Sequence, residues 1–103
     1  MSTPESKIKA MLKKVLDSYK PHLAHESPVQ NGMGTPTLDI NGCYYGHAFK
    51  IEAKAPGKKP TDRQVQTMNI WNKAGCAIFV IDGTESVTEL RIWLEAVKLQ
   101  NEG

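Results

Sequence analysis

Two carboxylates and a lysine stand within strand-like apolar stretches in the middle of the chain. Asp39 interrupts one apolar run, and Glu52 and Lys54 follow Phe49 and Ile51 in a second. Because side chains alternate across a strand, Glu52 and Lys54 share one face and the apolar residues take the other. Pairing the two runs as neighbouring strands would bring Asp39 close to Glu52. Two carboxylates with an ammonium group beside them suit a divalent metal bound through oxygen.

Basic side chains and a helix start follow the second acidic run. The turn APGKKP at 55–60 leads into Thr61-x-x-Gln64. This spacing is that of a capping box, which would by itself explain a glutamine at Gln64. The alternative, that Gln64 belongs to a functional site, stays open on the sequence alone. The basic residues of this region are Lys58, Lys59 and Arg63.

Other reactive residue types give weaker patterns. Glu5 lies near the start of a predicted helix, where it favours the helix dipole, and it also lies one turn before Ile8 on the predicted buried stripe. A structural zinc site is disfavoured, because His22 and His25 stand in an irregular region without a second compact ligand pair. Cys43 has no base that the sequence places nearby, so a cysteine nucleophile is also disfavoured.

Length and composition bound the fold and the partners. The chain has 103 residues, enough for a single domain over 1–103, and a net charge of +2 that neither requires nor excludes nucleic acid. Its two cysteines are far apart, which favours a reducing, cytoplasmic setting over a disulfide framework. No apolar run approaches the length of a membrane span, and the N-terminus lacks a signal-peptide core.

Apolar periodicity predicts three helices. The first covers residues 4–19 and is capped by Ser2 or Thr3, and the second covers 62–73 and ends at Gly75. The third begins with a capping box from Ser86 to Glu89 and ends at about Gln100. Trp71 and Trp93 have helical spacing and are predicted to lie in the core.

Apolar alternation and turn residues predict the strands. A short edge strand is expected over 22–27, and a loop over 29–36 is expected to enter the site. Strands over 37–44 and 47–54 form a hairpin turning near Tyr45 and Gly46, and Gly42 marks a bulge or an early turn. The continuous apolar run at 76–82 predicts a strand buried on both faces. The order indicates an α/β domain with helices packed on a central mixed sheet.

The ordered set of these residues resembles the PD-(D/E)XK nucleases, and within them the VRR-NUC branch of small phage and prophage proteins. Asp39, then Glu52-x-Lys54, then a helix that opens with Gln64 carry the likeness. One position departs from the family pattern: Thr37 stands where many members have an aspartate directly after proline, and Asp39 comes two residues later, which preserves strand parity. The matching stretches are ESKI at 5–8, PVQNGMG at 28–34, LDINGC at 38–43, KIEAKAPGKKP at 50–60 and TDRQ at 61–64.

This resemblance implies a restriction-endonuclease-like core and Mg²⁺-dependent hydrolysis of phosphodiester bonds, with Mn²⁺ as a substitute. It implies that Asp39, Glu52 and the Ala53 carbonyl bind the metal, and that Glu5 contributes through water or a second metal. Lys54 would orient the attacking water or stabilise the charged transition state, and Gln64 would support the site. Flanking phosphates would be held by Lys58, Lys59 and Arg63.

The resemblance also implies a homodimer that acts on branched DNA such as a four-way junction, since two coordinated cuts require two sites. The compartment expected is the cytoplasm of a bacterium or of a phage-infected host, with no membrane partner. The alternative function is a non-catalytic nucleic-acid-binding module that retains the nuclease fold.

Overall fold

The computed structural model describes residues 3–29 and 37–103, so the loop predicted over 29–36 lies almost entirely outside the described residues. Three helices and four strands follow one another in these ranges, and the structure is mixed α/β as predicted. The elements are α1 (Pro4–Asp17), β1 (Leu23–Glu26), β2 (Ile40–Tyr44), β3 (His47–Ala53), α2 (Asp62–Lys73), β4 (Ala77–Ile81) and α3 (Thr84–Glu102).

The four strands form one mixed sheet in the order β1-β2-β3-β4. β1, β2 and β3 are antiparallel neighbours, and β4 runs parallel to β3. The predicted edge strand is therefore confirmed as β1, which pairs with β2. The predicted hairpin is confirmed too, because Tyr45 and Gly46 both have positive φ, as a two-residue type I′ turn requires.

The main core lies on one face of the sheet. Phe49, Ile51 and Ala53 of β3 point into it and pack with the buried stripes of α1 and α3. The opposite face of β3 carries Lys50 and Glu52, which are also buried. β3 is therefore enclosed on both faces, with apolar residues on one and charged residues on the other.

Gly42 fixes how β2 lies against β3. It pairs with Phe49 in an unbroken register, so the predicted bulge or early turn at Gly42 is wrong. A Cβ atom at this position would lie 2.1 Å from the Phe49 Cζ atom, because the phenyl ring covers the glycine. The residue is needed for close approach of a ring rather than for an irregular backbone.

β4 corrects a second prediction. The apolar run was expected to be buried on both faces, yet Ala77 to Val80 are only half-buried. The reason is position: within the described part of the chain, β4 pairs with β3 alone and forms an edge of the sheet. Continuous apolar sequence does not distinguish a central strand from an edge strand.

Helix ends and tryptophans account for the remaining differences. Thr3 caps α1 as predicted, but the helix ends at Asp17 rather than residue 19. The predicted capping box at Ser86 is wrong, because α3 starts after Gly83 and the Ser86 hydroxyl instead donates to Asp82 Oδ1 at 2.8 Å. Trp71 was predicted to be buried but is 41% exposed. None of the helices in the described ranges is long and apolar enough to cross a membrane.

The Gly42–Phe49 contact yields a stability prediction. We expect Gly42→Ala to lower the free energy of unfolding by about 1–3 kcal/mol, because the added methyl group must displace the Phe49 ring. Urea unfolding of Gly42→Ala measures the loss, and Cys43→Ala at the exposed neighbouring position is the matched control. A stability equal to that of the control would show that the ring does not hold the strands in register.

Candidate active site at the Asp39–Glu52 edge

Strand pairing brings the two predicted carboxylates together. The register joins Ile40 to Ile51, so Asp39 and Glu52, one step further along, lie opposite each other. Asp39 is not inside the strand as predicted but immediately before its first residue. Its Oδ2 atom accepts a hydrogen bond of 2.9 Å from the Ala53 backbone N–H. An aspartate in this apolar run is therefore explained locally, because its carboxylate satisfies a backbone donor of β3.

Glu52 is the most constrained charged group of the site. Its residue is 2% exposed, and its Oε2 atom lies 3.4 Å from Lys54 Nζ. The other carboxylate oxygen, Oε1, is buried and has no hydrogen-bond partner among the described residues when both carboxyl groups are ionised. A buried carboxylate oxygen without a donor is costly, so the site is incomplete in electrostatic terms.

Burial raises the pKa of Glu52, and hydrogen bonding with and repulsion from the neighbouring Asp39 carboxylate add to the effect, so that the pKa is about 7. Lys54 acts in the opposite direction but does not cancel these effects. A carboxyl group with such a pKa holds a proton at mildly acidic pH and releases it near neutrality. Glu52 is therefore largely neutral below about pH 7, and its negative charge forms as the pH rises through that value.

Lys54 is positioned by the edge strand. Its backbone N–H donates to the Ile81 carbonyl of β4 at 2.9 Å, which continues the parallel pairing by one residue. Its side chain is 14% exposed, so the ammonium group is shielded from bulk water while it contacts Glu52. The predicted set of Asp39, Glu52 and Lys54 is thus gathered at one end of β3.

Lys9 is a site residue that sequence reasoning missed. Its Nζ atom reaches Asp39 Oδ1 at 3.5 Å from the exposed side of α1. Glu5 lies one turn earlier on the same side of that helix, and it is half-buried. Helical spacing from Glu5 was the available signal, but nothing in the sequence indicated that α1 would lie beside Asp39.

Gln64 forms the predicted capping box. The Thr61 backbone N–H donates to Gln64 Oε1 at 2.9 Å, and the Gln64 backbone N–H donates to Thr61 Oγ1 at 3.2 Å. The side-chain oxygen of Gln64 is thus engaged at the start of α2. Exposed side chains carry the basic charge on either side of this cap, and they are Lys58, Lys59 and Arg63.

A second polar pair lies next to the carboxylates. Lys50 is paired with Asn41 in the register, and its Nζ atom donates to Asn41 Oδ1 at 2.7 Å. The ammonium group also lies 4.0 Å from the centre of the Trp71 ring. Strand parity already placed Lys50 on the face of Glu52, but the covering tryptophan comes from α2 and could not be inferred.

The two histidines of the β1 region and Thr37 are not part of the cluster formed by Asp39, Glu52 and Lys54. His25 Nε2 lies 2.8 Å from Asp17 Oδ1, and the ring of His22 stacks on that of Tyr45. Thr37 has a buried hydroxyl without a hydrogen-bond partner within the described ranges.

Across residues 3–29 and 37–103, no three or more His, Cys, Asp or Glu side chains gather closely enough to hold a metal ion. The candidate site therefore offers two carboxylates rather than a closed protein cage.

Comparisons with protein-family models, with curated proteins and with solved structures find no match for this chain.

Because the pKa of Glu52 is raised, replacing this residue by a neutral one should increase the free energy of unfolding, by an amount that depends on pH. The wild type should lose stability as pH rises from about 4.5 to about 7, because the unfolded chain releases the Glu52 proton first. We expect Glu52→Gln to be more stable than the wild type by up to about 3 kcal/mol at pH 8, and by much less at pH 4.5. Urea unfolding in EDTA at both pH values measures the difference.

The Asp39→Asn background is the matched control, since removing the second carboxylate should shrink the benefit of Glu52→Gln. A benefit of equal size at pH 4.5 and pH 8 would contradict the assignment of the raised pKa to Glu52.

Proposed function

We propose that this chain is a Mg²⁺-dependent endodeoxyribonuclease of the PD-(D/E)XK kind, related to the VRR-NUC branch. One observation carries the proposal: a buried carboxylate with an unsatisfied oxygen lies beside a second carboxylate, and a shielded lysine contacts it. The central mixed sheet with helices on both sides supports a restriction-endonuclease-like core.

The residues present fit a hard divalent cation. Mg²⁺ binds to one or two carboxylates and completes its shell with waters and substrate phosphate oxygens, so two carboxylates suffice. In this proposal Asp39 and Glu52 hold the ion together with the Ala53 carbonyl, and Glu5 contributes through water. Glu52 Oε1 is the oxygen that lacks a partner, and a cation there would offset its burial.

Bound at this position, Mg²⁺ would supply a water of lowered pKa and neutralise charge on the scissile phosphate. The residues of the chain do the rest. Lys54 is held next to Glu52 with little exposure, where its ammonium group orients the attacking water or stabilises the developing negative charge. Lys9 sets a further positive charge against Asp39.

The exposed basic residues around the start of α2 hold the DNA. Phosphate contacts of this kind position a duplex without reading its sequence. Gln64 supports the site by fixing the start of α2 through its capping box. The capping box thereby also fixes the position of Arg63 in the first turn of the helix. The proposed nuclease therefore selects DNA by shape, with branched or four-way-junction DNA as the substrate class.

The alternative is a nucleic-acid-binding module without catalysis. Two adjacent carboxylates facing a phosphate would repel it, and the buried Glu52 destabilises the metal-free fold near neutral pH. A binding module gains nothing from either property. The same two facts favour catalysis, because a metal ion bound by the two carboxylates would offset both their repulsion of the phosphate and the cost of burying Glu52.

Cutting two strands of a junction requires two sites, and we propose that they come from a homodimer. The outer side of α3 exposes Ile92 and Leu99, one heptad apart. Such a stripe is suited to packing against the same helix of a second chain.

The metal site predicts a dependence of stability on Mg²⁺. We expect Mg²⁺ or Mn²⁺ to raise the melting temperature of the wild type. At a metal concentration about a hundred times the Kd, the free energy of unfolding should increase by about 2.7 kcal/mol. Asp39→Asn should melt at a temperature independent of metal, because its amide still accepts from Ala53 but adds no charge. A wild-type melting curve unchanged up to saturating metal would remove the site.

The role of Lys54 is tested by cleavage. Lys54→Ala should cut DNA about 10²–10³-fold more slowly while binding it as before, since one charge-stabilising donor is lost. The assay uses linear, nicked, flapped and four-way-junction DNA, each with Mg²⁺ and with EDTA. Lys20→Ala is the matched control, because Lys20 is an exposed lysine paired with Asp17 instead. Near-normal cleavage by Lys54→Ala would exclude the lysine from the mechanism.

The proposed dimer is tested by light scattering. The wild type should have the mass of two chains at micromolar concentration and make paired, symmetric nicks on a four-way junction. Leu99→Glu should have the mass of one chain, because it places a charge in the apolar stripe. A wild type that is monomeric and makes single nicks would exclude the dimer without affecting the nuclease assignment.

A further inference from the structure

A cleft at the far end of β3 is lined by aromatic rings, and one of these rings has a buried ammonium group against it. The cleft has a volume of about 510 Å³ and opens between the end of α2 and α3. The side chains that matter for the argument are His47, Trp71, Asn72 and Trp93.

Trp71 is held in place by the polar face of the sheet. The Lys50 ammonium group lies 4.0 Å from the centre of its ring, and Asn41 accepts from that ammonium group. The ring is nevertheless 41% exposed, so it is oriented from behind and accessible from the cleft. An exposed tryptophan with a fixed orientation is a stacking surface, since ordering it on binding costs little entropy.

Trp93 forms a rigid wall of the same cleft. Its ring makes edge contacts with Phe49 and Phe79, with centroid distances of 5.7 and 5.6 Å. The ring of His47 meets it at 6.4 Å and an angle of 89°. The wall is thus supported by the main core, while Trp71 on the other side is supported by Lys50.

The charge behind Trp71 determines which ligand fits. Among the described residues Lys50 forms no ion pair, so its charge is met only by the Asn41 amide and the Trp71 ring. A cationic ligand is disfavoured, because the ring already has one cation against it. A flat, electron-rich ring that carries a negative charge is favoured, and a nucleotide has both properties.

We propose that this cleft binds an unpaired nucleobase of the DNA strand that passes Asp39, Glu52 and Lys54, with the base stacked on Trp71. This inference rests on the proposed nuclease function and names the feature of the substrate that is recognised. Ala48 at the cleft and Glu52 are four residues apart in β3, roughly 13 Å, which is about four stacked nucleotides. A paired base has both faces covered by its neighbours, so the cleft selects DNA with unpaired bases near the bond that is cut.

The test measures DNA binding in Ca²⁺ buffer, with single-stranded oligothymidylate and a blunt duplex as the probes. Trp71→Ala should bind the single strand roughly 5- to 150-fold more weakly, the range for losing one base–aromatic stack. Its affinity for the duplex should be unchanged. Trp71→Phe keeps a ring over Lys50 and should retain most of the single-strand affinity, and Ile70→Ala, at an exposed apolar neighbour outside the cleft, is the matched control.

Fluorescence gives an independent measurement. In Trp93→Phe the only tryptophan is Trp71, and oligothymidylate should quench its emission whereas the duplex should not. If DNA is bound and cleaved but Trp71 emission does not change and Trp71→Ala binds both probes like the wild type, this inference is wrong and the nuclease proposal stands. If the wild type neither binds nor cleaves any DNA, both proposals fail together.

Discussion

The register between β2 and β3 is the constraint on which the site depends. A two-residue turn at Tyr45 and Gly46 starts the pairing, and the Phe49 ring over Gly42 leaves no room for a side chain in between. The same register sets Asn41 against Lys50 and Asp39 against Glu52. A shift by one residue would turn each of these side chains to the apolar face, so core packing and site assembly are decided by the same pairing.

β3 divides the molecule into an apolar half and a charged half. Phe49, Ile51 and Ala53 pack into the main core with α1 and α3, while Lys50 and Glu52 are buried under the opposite face. The charged half contributes less to the stability of the fold, because Glu52 has a buried oxygen without a hydrogen-bond partner among the described residues and its pKa is raised to about 7. Stability comes mainly from the first half, and the second half keeps the electrostatic imbalance that binding a cation would relieve.

Much of the fold follows from local patterns in the sequence. Period-two alternation predicted β3 and the two faces it separates, and the hairpin turn and the Thr61 cap were identified from residue types alone. The approach of Asp39 to Glu52 could also be predicted, because hairpin pairing is local. The contacts of Lys9 with Asp39 and of Trp71 with Lys50 could not, since they depend on how helices distant in sequence lie across the sheet. The edge position of β4 was missed for the same reason: pairing partners, rather than composition, decide exposure.

The edge position of β4 has a consequence for folding. Its sequence AIFVI has no charge or proline, and its parallel pairing with β3 forms only after α2 has crossed the sheet. Until then the segment is an apolar strand with free backbone donors and acceptors, the kind that pairs with other chains. Lys73 and Asp82 flank it on either side and act as gatekeepers by placing charge at both ends. During protein synthesis α2 can form before β4 emerges, which would limit self-association through the unpaired β4 segment. Refolding of the whole chain at high concentration would instead favour this self-association.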